Sequence, residues 1–200
     1  MGYSTTHYNE RGGKTTGGMG TPHEGLWEKP ARCERSVPKK MKASHFSQDI
    51  HDFLTALHKH HVRYLIVGGE AVIYYGYARL TGDVDFFFEQ TEENALNLFA
   101  ALEEFWEGDV PGIDGFETLL ESGVIFQFGA PPNRIDIISL IDGVTFKQAW
   151  PGRVTTSVKI RGEHVSVYFI GLDDLIANKR AINRPKDQED LKYLMKAREK

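Results

Sequence analysis

Two hundred residues, 40% of them hydrophobic, suffice for one good core with a small helical appendage, and no apolar run approaches the length of a membrane span. The net charge of −4 divides unevenly: residues 1–40 carry seven Lys/Arg against four Asp/Glu, for +3, and the remainder carries −7. An acidic body argues against broad non-specific nucleic-acid binding. The single cysteine, Cys33, permits no internal disulfide and suits a reducing compartment; with no hydrophobic signal core at the N-terminus, a cytoplasmic chain without a membrane partner is expected.

Residues 1–40 hold seven of the 20 glycines and little apolar periodicity, so they read as a flexible tail. The run Gly12-Gly13-Lys14-Thr15-Thr16 has a phosphate-loop flavour, but the leading glycine and a preceding strand are missing. Ordered-looking sequence follows Met41 at once. Met41 is therefore the expected native start, with the tail an extension or start-site artefact and residues 41–200 a single domain. Residues 44–62 form an expected amphipathic helix with Phe46, Ile50, Phe53, Leu54 and Leu57 on one stripe. His58, His60 and His61 crowd its C-terminal end, where donors suit the helix dipole; adjacent helical histidines point apart, so a solvated end is preferred to a metal site.

Residues 64–67 have the composition of a buried strand. Gly68-Gly69 breaks the run and lets the backbone turn tightly with its N–H groups exposed. Residues 70–77 make about two helical turns, Thr81-Gly82 breaks them, and residues 83–88 form a second strand. Alternation along that strand puts Asp83 and Asp85 on one face. Two neighbouring carboxylates repel unless a cation lies between them, and hard Mg²⁺ prefers such oxygen ligands. A glycine turn for phosphate followed by a carboxylate pair for Mg²⁺ is the apparatus of phosphoryl or nucleotidyl transfer.

A helix is expected over 91–106, with Thr91 as N-cap and Ala95, Leu96, Phe99, Leu102 and Phe105 on its buried face. After a loop, 116–120 reads as a short helix, 124–128 as a strand and Pro131-Pro132 as a turn. The strand over 133–140 carries one acid, Asp136, which an apolar strand tolerates only with a cation or donor beside it. A salt bridge to a neighbouring basic residue would serve, but the Asp83/Asp85 pair favours a third metal-site carboxylate. A helical turn at 144–150, a hairpin over 153–170 turning at Arg161-Gly162, a helix from Asp173 as cap to Ile182, and a last helix with Asp187 as candidate N-cap complete the chain. Leu191, Leu194 and Met195 form the last helix's buried side.

Gly68-Gly69, then Arg79-Leu80-Thr81-Gly82-Asp83-Val84-Asp85, then Arg134-Ile135-Asp136, resembles the DNA polymerase β-like nucleotidyltransferase superfamily. Its signature is a Gly-Gly or Gly-Ser turn, a short helix, an Asp-x-Asp strand and a third Asp on a later strand. The segment from Leu172-Asp173-Asp174-Leu175 through Lys179 to Arg184-Pro185-Lys186-Asp187 and Asp190-Leu191 resembles the fourth motif of small bacterial members, the AbiE-type toxin nucleotidyltransferases and related standalone domains. The similarity spans about residues 45–196.

The resemblance implies an α/β (α+β) nucleotidyltransferase fold: a mixed, mostly antiparallel twisted sheet flanked by helices, with two C-terminal helices. It implies that Gly68 and Gly69 let the backbone approach the nucleotide phosphates, that Asp83 and Asp85 hold Mg²⁺, and that Asp136 completes a two-ion site. Lys179 would meet the phosphates, and Thr81 would steady the Asp83 loop. Arg79 either supports that loop, binds phosphate or forms a structural salt bridge, and Asp187 is either a helix cap or a site residue. The implied activity is Mg²⁺-dependent transfer of a nucleoside monophosphate from a nucleoside triphosphate, ATP among them, to a hydroxyl on RNA, protein or a small molecule, as a toxin–antitoxin component. The rival readings are a non-catalytic module that binds a partner protein and a hydrolase using the same metal pair. Two departures stand out: Gly69 replaces the more frequent Ser, and Glu70 follows where small or apolar residues are frequent. Glu70 suits a helix start but would repel a triphosphate if it pointed inward. The short stretch after the fourth motif implies a shallow acceptor groove or a partner that completes it.

Overall fold

The computed structural model of the chain describes residues 46–131 and 133–199. The expectations for the tail, Met41, Cys33, the 12–16 run, the first residues of the leading helix and Pro132 lie outside them. In chain order the elements are α1 Gln48–Lys59, β1 Tyr64–Ile66, α2 Gly68–Tyr74, β2 Asp83–Phe88, α3 Glu92–Phe105, a 3₁₀ turn Phe116–Leu120, β3 Ile125–Phe128, β4 Arg134–Ile138, α4 Phe146–Gly152, β5 Val154–Ile160, β6 Glu163–Phe169, α5 Leu172–Ile182 and α6 Pro185–Arg198.

The strands form one sheet in the order β3-β4-β2-β1-β6-β5. The pairs β1–β2, β3–β4 and β5–β6 are antiparallel, and β1–β6 and β2–β4 parallel, so the sheet is mixed and mostly antiparallel as expected. Strand alternation divides β2 between two environments. Phe86 meets Phe53 of α1 edge-on at 5.1 Å, and Phe53 in turn meets Phe105 of α3 at 5.3 Å. Val84, Phe86 and Phe88 therefore face the layer built by α1 and α3. Asp83, Asp85 and Phe87 face the other way, where Phe87 packs on Phe146 of α4 at 5.3 Å.

The local causes of the helices are visible at their ends. Ser47 Oγ accepts from the Ile50 N–H at 3.4 Å, and Thr91 Oγ1 from the Asn94 N–H at 3.4 Å. In α3 the buried stripe runs through Asn94, Ala95, Leu98, Ala101 and Leu102, so the expected face is corrected: Leu96 is 46% exposed. The stripe rotates because Asn94 is pulled inward. Its side chain accepts from the Arg63 N–H at 2.7 Å and donates to the Arg63 and Glu89 carbonyls, tying β1 to the end of β2. Two expected caps are also corrected. Gly171 caps α5, and Asp173 lies exposed in its first turn, paired with Arg198 at 2.9 Å. Pro185 opens α6, its fixed φ suiting the first helical position, so Asp187 stands one turn in and reaches back to the Arg184 N–H at 3.1 Å.

At the end of α1, Lys59 and His60 both pair with Glu104, at 2.8 and 2.7 Å. No helix among the described residues is long and apolar enough to cross a membrane.

Candidate active site

The parallel register of β2 and β4 builds the site. It sets Asp83 opposite Arg134 and Asp85 opposite Asp136, with all four side chains on the sheet face away from α1 and α3. Gln127 of β3 stands opposite Asp136 on the next strand. The three aspartates named from the sequence are thus brought together by adjacent strands.

The glycine turn abuts them. Gly68 has φ +60, a left-handed conformation that favours glycine, and a Cβ there would fall on Asp85 Oδ2. A Cβ on Gly69 would stand 2.5 Å from Thr81 Oγ1 and 3.0 Å from Arg79 Nη2. Both glycines are therefore needed for close approach: one to the Asp85 carboxylate, the other to the loop before β2. Thr81 holds that loop, its hydroxyl donating to Asp83 Oδ1 at 3.0 Å.

Arg134 is the residue the sequence reading placed within a motif without a role. Its Nε donates to Asp136 Oδ1 at 2.7 Å, and its Nη2 donates to Asp136 Oδ2 at 2.8 Å and Asp83 Oδ2 at 2.7 Å. Gln127 Nε2 adds a bond to Asp136 Oδ2 at 3.0 Å. Asp136, buried at 5% exposure, thus has the salt bridge that was one of its two expected readings. The i, i+2 spacing of Arg134 and Asp136 on one strand was a signal available from sequence; Gln127 carried none.

Asp85 differs. Among the described residues no protein donor bonds its carboxylate. Burial, followed by the charges of Asp83 and Asp136, pushes its pKa up to about 7, against the opposing pull of Lys179 and Arg134. A carboxylate pair of oxygen donors with such mutual repulsion suits a hard divalent cation, so Asp83 and Asp85 fit Mg²⁺. Asp83 accepts one bond at each oxygen, from Thr81 and Arg134; Asp136 accepts three, from Arg134 and Gln127, on a side chain 7% exposed, and fits the ion less well. Among the described residues no group of three or more His, Cys, Asp or Glu is spaced to hold a metal ion.

Lys179 lies deeper than its expected role suggested. It is 2% exposed, and its Nζ pairs with Asp187 Oδ1 at 2.8 Å and Asp190 Oδ2 at 3.1 Å. Arg79 Nε meets Asp190 Oδ1 at 3.2 Å, which realises the structural salt bridge among its three readings. Arg184 Nε grips Asp187 Oδ2 at 2.7 Å. Burial pushes the Asp187 carboxyl up, but hydrogen bonds from Arg184 and Lys179 outweigh it and hold the group down at about 2. This buried network joins α5 and α6 to the loop beside Gly69. Glu70 is buried in the first turn of α2. A cavity of about 210 Å³ lined by His61, Arg63, Glu89 and Asn94 lies at the opposite end of β1 and β2, remote from the carboxylates.

A crystal structure of an antigenic nucleotidyltransferase-like protein from Paracoccidioides brasiliensis is similar with a TM-score of 0.45 and 17% identity, covering 76% of this chain and 77% of that one. No curated protein matches in sequence. The family model described as nucleotidyltransferase of unknown function (DUF6036) matches residues 45–195, three-quarters of the chain and every residue of the site, and the chain belongs to that family.

Proposed function

We propose that the protein transfers a nucleoside monophosphate from a nucleoside triphosphate to a hydroxyl acceptor. The observation that carries this reading is the convergence of Asp83 and Asp85 on the Gly68-Gly69 turn, whose lack of side chains lets the backbone approach Asp85 and the Thr81 loop closely. The acceptor oxygen attacks the α-phosphorus, the bond to the bridging oxygen of the β-phosphate breaks, and pyrophosphate leaves while the hydroxyl proton passes to a base or to water. Mg²⁺ held by Asp83 and Asp85 would neutralise triphosphate charge and polarise the phosphorus under attack. Gly68 and Gly69 admit the phosphates to the backbone. Thr81 fixes the rotamer of Asp83. Arg79 and Lys179 reach the site indirectly, by holding the loop and helices around it, and the Lys179 charge is felt at Asp85.

Incubation of the purified chain with labelled nucleoside triphosphates, Mg²⁺ and cell extract tests the reading. Labelled product is expected from the wild type and none from Asp85→Ala. No metal-dependent labelling with any common nucleotide would overturn it.

A further inference from the structure

We infer that Arg134 is a built-in second cation of this site, so that the aspartates take one divalent ion, at Asp83 and Asp85, and not two. The inference rests on the metal-dependent reading above and narrows it. An ion bridging the third carboxylate would have to sit among Asp83, Asp85 and Asp136. The Arg134 guanidinium already stands between two of them: Nη2 bonds Asp83 Oδ2 at 2.7 Å and Asp136 Oδ2 at 2.8 Å, and Nε bonds Asp136 Oδ1 at 2.7 Å. Both Asp136 oxygens are engaged, Oδ2 twice once Gln127 is counted, whereas the Asp83 oxygens accept one bond each, from Thr81 and Arg134, on a side chain 31% exposed. With its side chain 7% exposed, Asp136 offers little open approach to a hydrated ion.

The arrangement is fixed by register rather than by a flexible side chain finding a surface partner. Arg134 is the direct neighbour of Asp83 across the parallel β2–β4 ladder and two residues from Asp136 on its own strand. Guanidinium keeps its charge at all ordinary pH values, and its planar fork matches a carboxylate bidentately. It therefore delivers a permanent positive charge where a two-ion site places a labile one. A divalent ion on Asp136 would have to break three charge-assisted bonds and leave the guanidinium facing a like charge. Arg134 Nη1 donates to no group among the described residues, and the side chain is 27% exposed, so one donor pair is left without a protein acceptor.

Counting bound Mn²⁺ by electron paramagnetic resonance, on the full chain with a non-hydrolysable α,β-methylene triphosphate, tests this. One ion per chain is expected in the wild type. Asp136→Asn, nearly isosteric, should bind one ion with affinity within about twofold of wild type, whereas Asp85→Asn should lose at least tenfold. Arg134→Gln should admit a second ion, seen as Mn–Mn dipolar broadening. Two ions in the wild type, a greater than tenfold loss in Asp136→Asn, or a folded Arg134→Gln that still binds one would each overturn the inference. No ion in the wild type would overturn the metal-dependent reading itself. If Arg134→Gln does not fold, the wild-type count and Asp136→Asn still decide.

Discussion

At the scale of single residues, the turn and the carboxylate it touches set opposite expectations for substitution. Gly68 and Gly76 both have positive φ, at +60 and +103, so an alanine at either incurs backbone strain of about 1–3 kcal/mol. They differ in surroundings: nothing lies within 4 Å of a Cβ at Gly76, while a Cβ at Gly68 falls on Asp85. Gly68→Ala should therefore cost more stability than Gly76→Ala in parallel urea titrations, and equal costs would show that the Asp85 contact is unimportant. Asp85→Asn should do the reverse. The ordinary carboxylate pKa is near 4, and burial with two acidic neighbours raises this one to about 7. Above that pH, without divalent cations, the wild type holds a repelled charge that Asn lacks. The variant should melt higher than wild type in chelator at alkaline pH, and a lower melting temperature there would refute the account of Asp85 as a carboxylate in need of a cation.

Between elements, the network Arg184–Asp187–Lys179–Asp190–Arg79 decides how α5 and α6 meet the loop before β2. The Asp187 carboxyl is held at about 2 against an ordinary value near 4, so the folded state disfavours its protonation. The sign follows: its stabilisation is fully present above about pH 4 and is lost as pH falls toward 2. Asp187→Asn should be less stable than wild type near neutrality, because it weakens the pairing of buried Lys179, and should show a shallower loss of stability across that acid window. The same network marks where sequence reading stopped. The glycine turn, the Asp-x-Asp face and the third strand aspartate were legible because each rests on local spacing: a break, an alternation, an isolated charge in an apolar run. Lys179 read as a phosphate contact because its burial depends on α6 folding back with Asp187 and Asp190, which no periodicity encodes. Arg134 likewise needed the β2–β4 register, since its bond to Asp83 spans 51 residues of sequence. Leu96 misled for a smaller reason: an inward Asn94 anchoring two carbonyls outweighed one apolar side chain.

Across the whole molecule, the sheet puts the α1 and α3 core and the candidate site on opposite faces. One face carries α1 and α3 over Phe86, with Phe53 fully buried between Phe86 and Phe105; the other carries the aspartates. Sites on opposite faces with no shared partner should contribute additively, within about 0.5 kcal/mol. Phe53→Ala removes a core ring and should cost about 3–5 kcal/mol. On the proposed function, ligand binding acts only on the other face. At a Mg²⁺–triphosphate concentration of about 100 times Kd, mass action stabilises the folded state by roughly 2.7 kcal/mol. For a chain of this size that amounts to roughly 5–10 °C in melting temperature. Wild type and Phe53→Ala should show the same ligand increment in free energy from different baselines, and Asp85→Asn should keep or raise the baseline and lose the increment. A Phe53→Ala increment reduced by more than about 1 kcal/mol would mean that the core face and the site are coupled through β2. The strand would then transmit packing strain to the carboxylates instead of insulating them.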